Sequence, residues 1–252
     1  MINQIFGGNT IGRFDLKRLG RQVFGTGPYL YYFHHAVAGE ELVLNELRSF
    51  TVYVFDRDRA ATVRVVENAV TLDVGDCVQA EGCDIRIAVI GGAAQFLVAG
   101  TETPHPSEHG LTVRRHAEIY KVAKPWGHEL WINGQHPRYA LKQIFVKAGT
   151  KTSLQYHNFK QETNVLFSGC AKLHYKANSD VPNDKVTHAD IATVQIEPVS
   201  TVGVTPPTLH RLEAVTDILL YETSTPHLDD VVRVQDDSRR PDGRIATEHA
   251  KS

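Results

Sequence analysis

Short β-branched runs, broken at regular intervals by turn residues, constrain this chain more than any other feature. Leu42–Leu44, Thr51–Phe55, Thr62–Val66, Ile85–Ile90, Leu141–Val146, Asn164–Phe167, Ala171–Tyr175, Ala192–Ile196 and Asp217–Tyr221 are such runs, and Gly, Pro and Asp fall between them. Branched and aromatic side chains suit a pleated, half-buried surface. Many short strands between turn signals predict a sandwich, jelly roll or barrel. Helical periodicity is nearly absent, and only residues 10–24 are read as a short helix. The chain is therefore expected to be all-β with few short helices.

One polar, Pro-containing stretch without periodicity, Gly100–Gly110, interrupts this rhythm and reads as a linker. It predicts one small barrel in 1–110, a second in 111–240, and a fraying polar tail over 241–252 within the polar stretch that starts at Asp236. A faint repeat supports two similar halves. Val74–Val78 ends one apolar hairpin and begins another, as Pro198–Val204 does later. The 252 residues are 42% hydrophobic with a net charge of -2. That composition can bury a core and points to neither a nucleic-acid nor a membrane partner. No apolar run approaches the ~18 residues of a membrane span, and Met1–Gln4 lacks a signal-peptide pattern. Cys77, Cys83 and Cys170 form no framework and read as inert thiols in a reducing compartment. The expected location is cytoplasmic.

The chemistry concentrates in one stretch. Gln155 and His157 are two apart, so on a strand both point to one face. Glu162 follows across a tight connection, and Gly169 falls at a turn. Downstream, Thr205–Leu212 supplies His210 at the start of a late strand. One amide oxygen, two imidazoles and one carboxylate form a plausible set for one divalent ion, with Zn first and Mn, Fe, Co and Ni open.

These motifs, in their order, resemble the cupin superfamily, and within it the C-terminal isomerase domain of type II mannose-6-phosphate isomerases. Lys124-Pro125-Trp126-Gly127 resembles that branch's opening motif. Lys142-Gln143-Ile144 with Val146–Gly149 is similar to its next strand and turn, and Ser153-Leu154-Gln155 before His157 to its first metal motif. His210-Arg211-Leu212 matches the second motif. Asp229–Arg233 with Asp236–Arg239 resembles its C-terminal signature. The likeness spans about 118–240. It departs at Phe159, Thr163 and Asn164, where the branch carries histidine and His-Trp, and at Thr205 and Pro207. No HxH or QxH occurs in the first half, so residues 1–110 read as a degenerate cupin without ligands, and the whole as a bicupin.

The resemblance implies a metal-dependent aldose–ketose isomerase acting on a small sugar or sugar phosphate, and a homodimer. Gln155, His157, Glu162 and His210 would hold the metal. Lys160 would shuttle the proton with a pKa lowered by the nearby cation, and Arg233 would serve the reaction at the phosphate. Lys142, Arg211 and Lys124 would bind substrate. Three other readings stay open: a nucleotide-sugar ketoisomerase or epimerase in polysaccharide synthesis, a metal-dependent oxygenase, and a non-catalytic sugar-binding bicupin.

Overall fold

The computed structural model describes residues 4–6, 9–25, 27–55, 62–105, 109–176 and 182–245. Among these the first strands are β1 (Gln4–Phe6), β2 (Asn9–Arg13), β3 (Gly20–Gly25), β4 (Leu30–Val37), β5 (Glu41–Leu44), β6 (Ser49–Phe55), β7 (Thr62–Val65), β8 (Thr71–Leu72), β9 (Cys77–Glu81), β10 (Ile85–Gly91), β11 (Ala93–Thr101) and β12 (Gly110–Arg114). There follow β13 (Tyr120–Lys124), β14 (Gly127–Trp131), β15 (Ala140–Val146), β16 (Leu154–Tyr156), β17 (Glu162–Ser168), β18 (Ala171–Lys176), β19 (Ala192–Ile196), β20 (Ser200–Val204), β21 (Leu209–Ala214), β22 (Ile218–Ser224) and β23 (Val232–Gln235). Three single 3-10 turns are the only helical segments among the described residues, and none is long enough to cross a membrane.

Two compact units divide the chain. The C-terminal unit comprises 1–14, 120–131 and 142–252; the N-terminal unit comprises 15–119 and 132–141. The expected cut at residue 110 is thereby corrected at both ends. Strand β12, beyond the linker, pairs with β9 from Gly110↔Glu81 to Arg114↔Cys77. Strand β2 pairs instead with β20, from Thr10↔Gly203 to Arg13↔Ser200. The short helix expected over 10–24 is absent for the same reason. Residues 9–13 and 20–25 are strands because sheet edges offer their backbone ladder partners, and such tertiary pairing overrides weak local propensity. Of the linker, residues 106–108 lie outside the described residues.

Each unit has its own pair of sheets. In the N-terminal unit one sheet runs β12-β9-β6-β11-β4-β3 and the other β5-β10-β7-β8. In the C-terminal unit the orders are β1-β2-β20-β17-β22-β15-β14-β13 and β19-β18-β21-β16-β23. The succession β9-β6-β11-β4 mirrors β20-β17-β22-β15, which makes the faint sequence repeat a structural one. Strands β5, β7 and β10 alternate buried and exposed residues, the signature of a sheet with one wet face.

Those alternating residues decide what each interior holds. Leu42, Leu44, Ile85 and Ile87 of β5 and β10 are buried with Phe50, Val52 and Phe96 in one apolar cluster. The C-terminal unit packs Trp126, Ile144, Leu166, Leu173, Ile196 and Leu220 into its own apolar cluster, and its cavity is also lined by the polar Gln155, Lys160, Glu162, Asn164, His210 and Glu222. Two glycines are dictated by backbone approach. A Cβ on Gly127 would lie 2.0 Å from the Phe145 carbonyl oxygen, and one on Gly169 the same distance from that of Asp217. Gly169 is the turn glycine expected from sequence, with φ at +79°.

Candidate metal centre

Strand β16 carries Gln155 into register with His210 on β21 and with Arg233 on β23. His157 stands just beyond the end of β16, and Glu162 opens β17. His210 Nε2 lies 3.0 Å from Glu162 Oε1, and His157 Nε2 3.4 Å from Glu162 Oε2. One donor atom from each of the three residues falls within 4.8 Å of the others, and all three side chains are buried. Gln155 lines the same cavity as Glu162 and His210, and its Oε1 accepts a 2.6 Å hydrogen bond from Ser153 Oγ.

The histidine tautomers follow from their outer hydrogen bonds. His157 Nδ1 donates to the Asp230 carbonyl, and His210 Nδ1 to the Thr208 carbonyl at 3.0 Å. With Nδ1 so engaged, the Nε2 atom of each ring faces Glu162 and is the atom that could ligate a cation. His157 Nε2 is buried and makes no hydrogen bond. A buried acceptor without a partner is costly; beside a carboxylate and a second imidazole, it fits a cation. His157, Glu162 and His210, with Gln155 lining the same cavity, are the residues that could hold a divalent metal.

Charge is arranged tightly around this triad. Burial works to raise the Glu162 carboxyl, yet Lys160 and His210 hold it well below the usual carboxylate range. For His210 burial lowers the imidazole, and the Glu162 carboxylate outweighs it and raises it. Lys160 departs from expectation. Its Nζ donates to Glu162 Oε2 at 2.7 Å and to Glu222 Oε1 at 2.8 Å. Burial lowers its pKa, but the two carboxylates prevail and hold it above the ordinary lysine value. Lys160 is thus an ammonium fixed between two carboxylates.

The other expected residues separate into two groups. Lys124 and Lys142 line the cavity and share Glu129, at 3.8 and 3.6 Å; Lys142 also lies 4.5 Å over the Trp131 ring. Arg233 lines the cavity as well, with Nη1 donating to the Pro241 and Gly243 carbonyls. Arg211 does not line it. As His210 points inward, its neighbour points away, and Arg211 donates to the Thr152 carbonyl at 3.0 Å and pairs with Asp237 at 3.4 Å. The cysteines are free, and burial pushes the Cys77 thiol up to about 12, as an inert thiol requires.

Three contributors were given no role at the site by the sequence reading, although Asn164 and Asp230 lie in stretches it compared with the family. Glu222 sits two residues after Leu220, so strand parity sends it to the same inward face, and both line the cavity. Asn164, two after Glu162, donates to its Oε1 at 3.2 Å. Asp230 collects the backbone N–H groups of Asn158, Phe159 and Lys160 at 3.0, 2.5 and 2.9 Å. It thereby folds the connection between His157 and Glu162 around one carboxylate. Parity could have found the first two. Asp230 comes from a distant segment and had no local signal.

Solved structures share this architecture. The oxalate decarboxylase of Lactobacillus farciminis in its formate complex superposes with a TM-score of 0.60 at 9% identity, covering 92% of this chain and 86% of that one. AerE from Microcystis aeruginosa gives 0.60 at 10% identity over 85% and 96%. The oxalate decarboxylase of Bacillus subtilis, a protein with Mn(II) centres, gives 0.58 at 12% identity over 92% and 77%. At such identities the likeness is one of fold, that of a bicupin. Among curated proteins none matches the sequence. The family of mannose-6-phosphate isomerase C-terminal domains matches residues 109–236, the stretch that supplies all four candidate ligands. With half its length aligned, the chain belongs to the mannose-6-phosphate isomerase C-terminal family of cupins.

Proposed function

We propose that this protein is a metal-dependent aldose–ketose isomerase acting on a sugar phosphate. The observation that carries the reading is the pair of buried Nε2 atoms converging on Glu162, each with its tautomer fixed from behind. His157, Glu162 and His210 would hold one divalent ion, with Gln155 adding a neutral oxygen. A cation bound there supplies Lewis-acid polarisation of two adjacent substrate oxygens. Zinc suits the mixed nitrogen and oxygen set, and manganese is the second choice.

The remaining steps belong to the chain's own residues. Isomerisation moves a proton between C1 and C2 while charge develops on the neighbouring oxygens. The Lys160 ammonium is fixed beside the metal ligands and stabilises that charge without reorganising. Glu222 carries the carboxylate that accepts and returns the proton, with Lys160 holding it in place. Lys124, Lys142 and Arg233 form a cationic wall suited to an anionic group on the substrate. The apolar cluster beneath the centre limits bulk water on that side.

The direct test follows conversion of mannose 6-phosphate to its ketose by the zinc-loaded protein, with a His157→Ala/Glu162→Ala variant as control. Turnover that disappears in the variant is the expected result. Full metal occupancy with no conversion of any hexose phosphate would discard the isomerase reading.

A further inference from the structure

The segment after β23 turns back over the metal cavity, and Arg240 and Gly243 line that cavity with Gln155, Glu162 and His210. Arg233 ties this segment down. Its Nη1 donates to the carbonyls of Pro241 and Gly243, and its backbone N–H donates to Asp242 Oδ1 at 2.8 Å. The Gly243 N–H donates in turn to the Val231 carbonyl at 2.8 Å. Arg233 is thus committed to its own chain, which is a poor state for the main phosphate ligand.

Arg240 is placed differently. Its Nε and Nη2 both meet Asp236 Oδ2, at 2.9 and 2.8 Å, and the two side chains are 10% and 5% exposed. A guanidinium is a rigid planar fork with five N–H donors. Asp236 occupies the Nε–Nη2 edge, so the Nη1 group is the part left for a ligand. The charges agree. Arg233 and Arg240 share the Asp236 carboxylate, as Lys124 and Lys142 share Glu129, and all four cations line the cavity.

We infer that Arg240, aimed by Asp236 on a segment tethered by Arg233, is the residue that grips the phosphate group of the substrate. This rests on the proposed sugar-phosphate reading, and it moves the phosphate contact from Arg233 to Arg240. Asp236 is a positioning residue. A phosphate monoester offers oxygens to a fork in a way a neutral sugar hydroxyl does not.

The test measures binding of inorganic phosphate to the zinc-loaded full chain by calorimetry, repeated after chelation of the metal. Arg240→Ala is expected to weaken binding by at least about tenfold at unchanged zinc content. Asp236→Asn should weaken it by about threefold, since the fork remains but loses its orientation. Phosphate affinity unchanged in Arg240→Ala, or binding that vanishes on chelation yet ignores Arg240, would overturn the inference. Should Arg240→Ala lose its native far-UV spectrum, Arg240→Lys decides. A natively folded lysine variant is expected to bind about threefold to tenfold more weakly, and full affinity there counts against the fork.

Competition separates the phosphate's source, because a sugar monophosphate and a nucleoside diphosphate sugar would each displace inorganic phosphate only if it fits the cavity. The two readings also fail separately. Arg240-dependent phosphate binding without isomerisation leaves the anion site and removes the isomerase. Isomerisation with KM unchanged in Arg240→Ala leaves the isomerase and removes the anion site.

Discussion

Asp230 shows how much of a metal centre can rest on a residue that touches no metal. Its carbonyl fixes His157, and its carboxylate gathers three consecutive backbone N–H groups and the Asn158 amide. Burial works to raise this carboxyl, but the N–H groups of Asn158, Phe159 and Lys160 hold it down at about 2. Asp230→Ala keeps the carbonyl that fixes His157 but removes the carboxylate that folds the 158–160 connection, and it should weaken zinc binding by about tenfold, the low end of the usual cost of disturbing an outer shell, as read by competition with a chromogenic chelator. A folded variant with unchanged affinity would show that the connection holds its shape unaided. A pH dependence follows with a definite sign. A depressed carboxyl stabilises the fold above its ordinary value, 3.8, and loses that contribution as pH falls through its folded value. The stability gap between the metal-free wild type and Asp230→Asn should be flat above pH 3.8 and shrink toward about 2. The triad itself was legible, because His157, Glu162 and His210 sit at motif spacings. The role of Asp230 was not, since its partners lie some 70 residues away, whereas Glu222 was within reach of strand parity.

At the scale of elements, the strand rhythm was readable and the partners of the strands were not. Every β-branched run singled out in the sequence falls on a strand, most with the alternation or continuous burial that a sheet imposes, while the largely exposed β19 is held by its ladder with β18. The segment 9–13 lacks that pattern, and its ladders with β20 and β1 make it a strand. Its leading residue matters for the metal centre. Asn9, 6% exposed, accepts the Thr205 N–H at 2.8 Å and donates to Thr208 Oγ1 at 2.9 Å. Thr208 is the residue whose carbonyl fixes His210. Asn9→Ala should therefore cost about 1–3 kcal/mol of stability, because a partly buried N–H loses its acceptor. It should also weaken metal binding, though less than His210→Ala does. Denaturant midpoints and zinc titration check the two parts, and a loss of stability with unchanged zinc affinity would confine Asn9 to a structural role.

Across the whole molecule, one fold is used twice with opposite interiors. The strands β5 and β10 present Leu42, Leu44, Ile85 and Ile87 inward, whereas the corresponding β16 and β21 present Gln155 and His210. Sequence showed this contrast, since a run of aliphatic residues cannot supply ligands, while the exchange of terminal segments between units depends on long-range pairing and stayed hidden. The asymmetry predicts where metal acts on stability. A cation that binds only the folded triad stabilises by about 2.7 kcal/mol at a hundredfold excess over its Kd, which for a unit of this size raises Tm by on the order of 10 °C. The shift should grow with the logarithm of free zinc, since each tenfold increase adds about 1.4 kcal/mol of linkage. His157→Ala/Glu162→Ala should unfold at its own temperature and fail to respond to zinc. The chain has 13 histidines, so the variant is the decisive arm. An equal zinc-induced shift in wild type and variant would place the stabilising ion elsewhere and remove the triad's claim to it.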